Sequence, residues 1–431
     1  MQSDDVRKKH QDYLFPAIKN YYTESLIASK GNGSRLEDLD GKSYLDFFGG
    51  ILTVSVGHAH PEVNEAVSKQ LHMISHVSTL YPTIPIVELA ETLARMAPGD
   101  LCKSFFTASG TEADETAIMM AQVFTGNSEL IVLRHGYSGR SLLAQSVTGH
   151  SSWRAVGTQV AAIKHAPAPY CYRCPLKLKY PDCGLACAED IEELIQTTTT
   201  GQIAGVMVEP ILGVGGFITP PPEYFKIVAE IVRRYDGIFI SDEVQTGFGR
   251  TGKTWGIDQY EVIPDIITMA KGIANGMPLG AVTTNSQIAD SLKKNSISTF
   301  GGNPVSCAAA NATLNIIERD DLTSNAEHLG QILQTGLIQL KDKYSKIIGE
   351  VRGMGLMQAI ELVVDELVGD RTPNTTAAER LMEETKQRGL LIGRGGLYAN
   401  TLRIAPALNI TRSEIDEALR ILDESFGVFA N

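Results

Sequence analysis

Two short apolar runs in the middle of the chain each end beside one ionisable side chain. Residues 238–241 (IFIS) precede Asp242, and residues 266–270 (IITMA) precede Lys271. Apolar runs of this length are typical of buried parallel strands in an α/β sheet. Ligands bind in the crevice beyond the carboxyl ends of such strands. We therefore expect Asp242 and Lys271 to face one binding site.

A carboxylate and a lysine at neighbouring strand ends suit the cofactor pyridoxal phosphate. This cofactor needs a lysine for its aldehyde and an anion for its pyridinium nitrogen. Lys271 alone could simply extend its amine to solvent from a strand end. Asp242 makes that interpretation less favourable, because a carboxylate after an apolar run is costly to bury without a partner.

The arrangement of the other runs predicts an α/β protein with a large doubly wound domain and a mostly parallel sheet. We expect residues 61–315 to form this cofactor-binding domain. Residues 1–60 and 316–431 should form a smaller α+β domain built from both termini. The predicted strands cover residues 103–107, 130–133, 204–208, 237–241, 266–269, 281–284, 351–361 and 402–407, and a mobile loop is predicted at 393–396.

Composition argues against several classes of partner. The 431 residues carry a formal net charge of −12. Without basic runs, this charge argues against nucleic acid or an anionic membrane surface. No stretch of about 18 apolar residues occurs, and the first residues (MQSDDVRKKH) are polar, unlike a signal peptide. We expect a cytoplasmic protein.

The turn Ser109-Gly110-Thr111 is a second candidate element, because a predicted amphipathic helix follows it. A helix N-terminus with free backbone N–H groups, a hydroxyl and a favourable dipole is suited to binding phosphate. The turn could also be a simple N-cap with acidic residues in the first helical turn. Beside a buried carboxylate–lysine pair, a phosphate-binding turn is the better interpretation.

Taken together, these features resemble the class III (subgroup II) pyridoxal-phosphate-dependent aminotransferases, over nearly the whole chain. The resemblance implies fold type I, the cofactor pyridoxal 5'-phosphate, and transfer of an amino group from an amino donor to a keto-acid acceptor. It also implies a homodimer or a dimer of dimers with shared active sites. The motifs are residues 44–51 (YLDFFGGI), 57–61 (GHAHP), 109–111 (SGT), 209–210 (EP), 242–245 (DEVQ), 271–272 (KG), 299–304 (TFGGNP) and 402–406 (LRIAP).

The resemblance implies roles for the residues around the cofactor ring. Lys271 would form the Schiff base and then move a proton between the substrate Cα and the cofactor. Asp242 would bind the pyridine nitrogen, and Gln245 would reach the ring hydroxyl. Val244, on the same strand face as Asp242, would press against the ring, and Tyr137 would stack on its outer face.

Further roles concern the phosphate and the substrate pocket. Gly110 and Thr111 would hold the phosphate at the helix N-terminus, with Ser109 beside them. Thr299 would contact the phosphate bound in the neighbouring subunit. Glu209 would lie near the cofactor and help to position Gln245 or the substrate.

The substrate itself is implied to meet Ile51, which would line its pocket, and Arg403, which would bind its carboxylate. An arginine can hold a carboxylate through two parallel hydrogen bonds. Many aminotransferases for 4-aminobutyrate or ornithine carry a glutamate five residues after the position of Glu209, which pairs with this arginine. That position is Val214 here, so Arg403 should stay free for an α-carboxylate. This favours the alanine–glyoxylate (β-aminoisobutyrate–pyruvate) branch.

Two further positions depart from the family pattern. Tyr137 is followed by Ser138 where the family usually has histidine. The common Glu-Ala-Asn-Glu run has Asp114 in place of asparagine. We expect Asp114 to add a negative charge to the first helical turn, which the helix dipole favours.

Four cysteines lie in pairs in one Pro- and Gly-containing segment: Cys171, Cys174, Cys183 and Cys187. Such spacing can present four thiolates to zinc, and a disulfide or redox role is another alternative. The gap between the pairs is shorter than in most zinc ribbons. Because the implied chemistry needs no metal, free thiols in a surface loop are the preferred interpretation, and we predict no metal site.

Other functions on the same fold stay open at this point. A 2,2-dialkylglycine decarboxylase, an amino-acid racemase or epimerase, and an aminomutase would use the same lysine. A cofactor-binding protein without turnover is less favoured, because Lys271, Asp242, Gln245 and Thr299 are all present. The sequence therefore predicts the cofactor more firmly than the reaction or the amino donor.

Overall fold

The computed structural model describes residues 1–18, 20–157 and 160–429. Its helices are Ser3–Tyr13 (α1), Gly49–Leu52 (α2), Pro61–Met73 (α3), Ile84–Met96 (α4), Gly110–Thr125 (α5), Leu142–Val147 (α6), Ala186–Thr198 (α7), Tyr224–Arg234 (α8), Ser286–Ser291 (α9), Pro304–Arg319 (α10), Leu322–Lys343 (α11), Thr375–Gln387 (α12) and Arg412–Phe426 (α13). Short 3-10 turns cover Ser151–Trp153, Cys171–Arg173, Gly256–Tyr260, Lys271–Ala274, Glu366–Val368 and Gly427–Phe429.

The strands belong to three sheets. They are Ala28–Asn32 (β1), Arg35–Asp38 (β2), Ser43–Asp46 (β3), Lys103–Thr107 (β4), Leu130–Leu133 (β5), Ile163–Ala166 (β6), Gly205–Val208 (β7), Ile238–Asp242 (β8), Ile266–Met269 (β9), Gly280–Thr284 (β10), Ile348–Met354 (β11), Met357–Asp365 (β12), Asp370–Pro373 (β13), Leu390–Leu391 (β14), Gly393–Gly395 (β15) and Thr401–Ile404 (β16).

The central sheet has seven strands among the described residues, in the order β4-β10-β9-β8-β7-β5-β6. Strands β6, β5, β7, β8 and β9 pair in parallel. Strand β10 is antiparallel to both of its neighbours, β9 and β4. The prediction of a mostly parallel sheet is confirmed. The carboxyl ends of β5, β7, β8 and β9 therefore lie at one edge of this sheet.

Both faces of the central sheet are covered, which explains why its inner strands β5, β7, β8 and β9 consist mostly of apolar residues. On β8, Ile240 packs in a cluster with residues of α5, including Ala113 and Ala117. Phe239, one position earlier, points to the opposite face, where its ring contacts that of Phe225 on α8 at 6.3 Å between centroids. Helices on both faces are the doubly wound arrangement that the sequence predicted.

Two smaller sheets are formed by the terminal parts of the chain, and one of them contains strands from both parts. Strands β1, β2 and β3 form one sheet with β14, and β14 pairs in parallel with β3. The other sheet contains β11, β12, β16 and β15, and β13 pairs with β12. Helix α10 runs across residue 315, where the sequence suggested a boundary. The division into 1–60, 61–315 and 316–431 stays a prediction.

Several details differ from the sequence prediction. The single strand predicted over 351–361 is a hairpin of β11 and β12, because the chain reverses between Met354 and Met357. The predicted mobile loop at 393–396 contains β15, which pairs with β16. Strand β6 was not predicted; only residues 163 and 166 of its four are apolar. Apolar residues continue through the hairpin turn, so hydrophobicity alone does not reveal the reversal.

Among the described residues, no helix is both long enough and apolar enough to cross a membrane.

Candidate active site

A cavity of about 290 Å³ lies where β8 and β9 end and α5 begins. Most of the predicted site residues line it, although they come from distant parts of the chain. They are Ser109, Gly110, Thr111, Tyr137, Glu209, Asp242, Val244, Gln245 and Lys271. The parallel strands bring these side chains to one edge of the sheet, as strand polarity requires.

Asp242 is the last residue of β8 and is only 5% exposed. Burial raises the pKa of its carboxyl to about 6, against the opposing effects of the Val244 N–H and Lys271. The Val244 N–H donates to Asp242 Oδ1 at 3.0 Å. The carboxylate therefore lies in a medium of low polarity, where a cationic partner is stabilised most.

Lys271 begins a 3-10 turn directly after β9. Loss of solvent lowers the pKa of its amine, while Asp242, Glu209 and Asp114 oppose that shift. Its φ of +45° is in the left-handed region. For a residue with a side chain this conformation costs about 1–3 kcal/mol, and such strain concentrates at functional sites.

Val244 lies in the cavity wall but not on a strand, so the prediction that it shares a strand face with Asp242 is wrong. Strand β8 ends at Asp242, and a turn begins at Val244. The bond from the Val244 N–H to the Asp242 carboxylate ends the strand. This short-range bond turns the valine side chain into the cavity.

The turn Ser109-Gly110-Thr111 forms the N-terminus of α5, as predicted. Ser109 is the N-cap, and its hydroxyl accepts from the Glu112 N–H at 3.3 Å. The first N–H groups of a helix have no partner within the helix, so they are available to an anion. Gly139 packs against Thr111: a Cβ at Gly139 would lie 1.9 Å from Thr111 Oγ1. That contact brings the segment after Tyr137 against the turn.

The sequence predicts that Asp114 adds a negative charge near this turn, and the structure changes that prediction. Its side chain is buried and accepts from Thr268 Oγ1 at 2.8 Å. Burial and the nearby Asp242 raise the pKa of Asp114 well above its usual range. Both effects favour the uncharged form of the carboxyl, which weakens its repulsion of an anion at the turn. Ser138, the other departure from the family pattern, is buried and its N–H donates to Thr148 Oγ1 at 3.1 Å.

Glu209 holds the backbone on two sides of the cavity. Its Oε1 accepts from the Tyr137 N–H at 2.9 Å, and its Oε2 accepts from the Gly213 N–H at 2.8 Å. Burial and Asp242 raise its pKa to about 8. Gly213 in turn packs against Gln245, because a Cβ there would lie 2.3 Å from the Gln245 amide. Glu209 thus reaches Gln245 only through Gly213.

Arg403 lies on β16, outside the cavity lining, and is buried. Its guanidinium contacts the rings of Phe48 and Phe217 at 4.8 and 5.5 Å from their centroids. It donates to the Gly213 carbonyl at 3.3 Å and to the Tyr21 hydroxyl at 3.4 Å. Within the described residues its Nε has no hydrogen-bond partner, and no carboxylate pairs with the guanidinium.

Two other predicted residues do not line the cavity of this single chain. Thr299 is exposed in the segment that precedes α10. Ile51 is 46% exposed, with φ at +67° in a kink of α2. Helix α2 packs against the 3-10 turn that begins at Lys271. Thr53, the residue that follows α2, does line the cavity.

Sequence reasoning missed part of the cavity wall. It includes Thr53, Ala108, Ala270 and the segment 276–279 (GMPL). These residues carry no ionisable group, so their side chains do not mark them as cavity residues in the sequence. For residues 276–279, the short distance along the chain from Lys271 is the one feature that could predict a place in the cavity wall.

The four paired cysteines are free thiols. Cys171 is exposed, and Cys174, Cys183 and Cys187 are partly buried around the 3-10 turn Cys171–Arg173 and the start of α7. Each of the other three thiols contributes to raising the pKa of Cys187 to about 12, after burial as the main cause. Among the described residues, no three side chains of the metal-binding types are arranged to hold a metal ion.

The residues around the cavity fit pyridoxal phosphate. The N-terminus of α5 suits a phosphate, and a buried carboxylate at Asp242 suits a protonated ring nitrogen. Lys271 offers an amine with a lowered pKa. Gln245 Oε1 is buried and has no hydrogen-bond partner in the described part of the chain. A buried polar atom without a partner is costly, and a ligand hydroxyl would satisfy it.

Comparison with known proteins agrees with this chemistry. The family model described as aminotransferase class-III matches residues 18–426. An alanine–glyoxylate aminotransferase 2 homolog from Arabidopsis thaliana mitochondria is 42% identical, over 98% of this chain and 87% of that protein. The human mitochondrial alanine–glyoxylate aminotransferase 2 is 38% identical, over 96% and 85%.

A solved structure extends the comparison to the fold. An aminotransferase from Bacillus anthracis superposes with a TM-score of 0.92 at 31% identity, covering 99% of each chain. The predicted fold type I and the predicted family are both confirmed. The chain belongs to the class III aminotransferases, and it is a pyridoxal-phosphate-dependent transaminase.

Proposed function

We propose that this transaminase moves an amino group from an α-amino acid such as alanine to a small α-keto acid, glyoxylate or pyruvate. The observation that carries the proposal is the buried Arg403, whose guanidinium has no carboxylate partner among the described residues. Val214 lies on the neighbouring turn, where many ω-amino acid aminotransferases have a glutamate. The two curated relatives named for alanine and glyoxylate support the same substrate class.

Arg403 suits a substrate carboxylate physically. The two aromatic rings beside it remove water from the guanidinium, and its two bonds to neutral oxygen atoms leave its charge unpaired. A carboxylate that binds there gains charge-assisted hydrogen bonds in a medium of low dielectric constant. A substrate without a carboxylate gains nothing from this residue.

Bound pyridoxal phosphate supplies an electron sink for the charge that develops at the substrate Cα. Asp242 would place a negative charge beside the ring nitrogen, and burial would strengthen that interaction. Gln245 would orient the ring through its amide oxygen, which has no partner among the described residues. Tyr137 and Val244 line the cavity and restrict how the ring can move.

Lys271 is the base that we propose to hold and move the proton at the substrate Cα. Its lowered pKa favours the neutral amine, which is the form that can accept a proton. Its left-handed conformation directly after β9 presents the side chain to the cavity. The same amine would hold the cofactor through its aldehyde before substrate arrives.

We propose that the enzyme is a homodimer in which Thr299 contacts the phosphate site of the partner subunit. Thr299 is exposed beside a group of exposed apolar residues, which we call the apolar patch: Leu80, Tyr81, Ile84, Ile297 and Phe300. The ring of His76 contacts that of Phe300 at 5.2 Å between centroids, which joins the two segments of the patch. Exposed apolar patches of this kind mark protein interfaces.

A cytoplasmic location stays a prediction.

Replacing Lys271 tests the catalytic assignment. We expect Lys271→Ala to lower turnover by about 10²–10⁴-fold or more, because the proton carrier is lost. Mass spectrometry after borohydride reduction should find no covalently attached cofactor. Lys253→Ala, at an exposed lysine, is the control and should behave as wild type. Full activity of the Lys271 variant would exclude the assignment.

Replacing Arg403 tests the proposed carboxylate site. We expect Arg403→Ala to raise KM for pyruvate by about tenfold or more, because charge-assisted hydrogen bonds are lost. KM for isopropylamine, which is alanine with a methyl group in place of the carboxylate, should change little. Arg420→Ala, at an exposed ion pair with Glu424, is the matched control. Equal effects on KM for pyruvate and on KM for isopropylamine would contradict the proposal.

A substrate panel tests the reaction class directly. L-alanine, β-alanine, 4-aminobutyrate and 2-aminoisobutyrate would be paired with pyruvate, glyoxylate and 2-oxoglutarate while carbon dioxide is monitored. We expect L-alanine with glyoxylate, or the reverse reaction, to exceed 4-aminobutyrate with 2-oxoglutarate by about tenfold in kcat/KM. A preference for 4-aminobutyrate would overturn the proposed substrate class. Carbon dioxide release from 2-aminoisobutyrate would instead indicate a decarboxylase.

The oligomeric state tests the dimer. Light scattering after size exclusion should give twice the mass of one chain, and Ile84→Glu should weaken the association because a charge enters the apolar patch. Leu367→Glu, at an exposed leucine on another segment, is the control. A monomer with full activity would contradict a shared active site.

A further inference from the structure

Arg352 on β11 is buried and lies outside the cavity. Its Nε and Nη2 both donate to the Gly216 carbonyl oxygen, at 3.0 and 2.8 Å. Its Nη1 pairs with Glu361 on β12 at 2.6 Å and also with Glu350. Two donors of one guanidinium thus converge on one backbone oxygen.

Glu361 is the centre of a buried cluster that holds Arg352 in place. Its side chain is fully buried, and it also pairs with Arg173 and accepts from the Tyr170 hydroxyl. The Arg352 guanidinium lies 5.0 Å from the centroid of the Tyr170 ring. A buried ion pair with several hydrogen bonds has one favoured geometry, so Arg352 has little freedom to move.

The backbone that Arg352 binds is the glycine-rich turn, residues 213–216 (GVGG). At its other end, the Gly213 N–H donates to Glu209, and the Gly213 carbonyl accepts from Arg403 Nη1 at 3.3 Å. In the middle, the Val214 carbonyl accepts from the Gly396 N–H at 3.0 Å. Three glycines make the backbone of this turn adaptable, so its position depends on these contacts.

We propose that Arg352 is a positioning residue for the substrate carboxylate. By holding the Gly216 carbonyl, it fixes the glycine-rich turn whose Gly213 carbonyl orients the Arg403 guanidinium. The inference rests on the proposed role of Arg403. It adds that the affinity for carboxylate substrates depends on a residue that contacts neither substrate nor cofactor.

Arg352→Lys is the variant that separates the positioning of the glycine-rich turn from the charge of the side chain. Lysine keeps the charge beside Glu361, but a single ammonium cannot reproduce the two-armed contact with Gly216. We expect KM for pyruvate and for L-alanine to rise by about fivefold to tenfold, with kcat within about twofold, because loss of uniform binding raises KM alone. KM for isopropylamine and the absorbance of the bound cofactor should match wild type.

A purely structural role would have a different signature. It would lower the melting temperature, the cofactor content or kcat, and leave KM for carboxylate substrates within about twofold of wild type. That result would overturn the inference. Arg371→Lys, at a more exposed ion pair with Glu366, is the matched control and should leave every value unchanged.

Glu361→Gln provides an independent measurement if Arg352→Lys does not fold. The amide keeps the shape of the side chain but removes the charge that anchors Arg352. KM for pyruvate should rise in the same direction, by about twofold to fivefold, and an unchanged KM in a folded variant would overturn the inference.

Arg403→Ala, measured in parallel, keeps the two proposals distinguishable. If Arg403→Ala does not raise KM for pyruvate, the proposed function fails. If it does raise KM while Arg352→Lys and Glu361→Gln do not, only the inference about Arg352 fails.

Discussion

The buried carboxylate of Asp242 at the end of β8 is the interaction on which the rest of the site depends. Burial alone would favour the protonated form, and it raises the pKa to about 6. A cation beside it reverses that preference, so the protein stores an unfavourable electrostatic energy that a cationic ring nitrogen relieves. Lys271, one strand away, is subject to the same burial, which lowers its pKa. One sheet edge of low polarity therefore prepares both groups for a single cofactor.

The surrounding polar groups keep this edge of the sheet in place. Burial raises the pKa of Asp114 and favours its uncharged form, and Glu209, with a pKa of about 8, binds backbone N–H groups on both sides of the cavity. Beyond Glu209, the glycine-rich turn joins the central sheet to the smaller sheet that carries Arg352 and Arg403. The cofactor site and the proposed carboxylate site are thus connected through backbone contacts, and both depend on the packing of separate sheets.

Much of the fold and of the site could be predicted from the sequence, for identifiable reasons. Apolar runs predicted most strands of the central sheet, because a strand with helices on both faces is apolar throughout. Asp242, Lys271 and Ser109 to Thr111 were recognisable because each lies at the end of an element, where strand polarity brings them together. The errors lie where short-range contacts decide. Val244 turns into the cavity because its N–H binds Asp242, and the β11–β12 hairpin reverses within an apolar stretch.

The residue pattern alone indicates the chemistry: a lysine, a carboxylate and an anion-binding turn at the ends of buried elements, with Val214 in place of a glutamate. Which side chains keep their charge and which residues meet depends on the folded arrangement. By its position Asp114 is a charged first-turn residue, but burial raises its pKa well above the usual range and favours the uncharged form, against the opposing effect of the hydrogen bond from Thr268. No sequence pattern indicates a role for Arg352, which is apparent only from its contact with the Gly216 carbonyl. The physical reason is that pKa values and positioning depend on burial and on partners distant along the chain, which local sequence patterns do not specify.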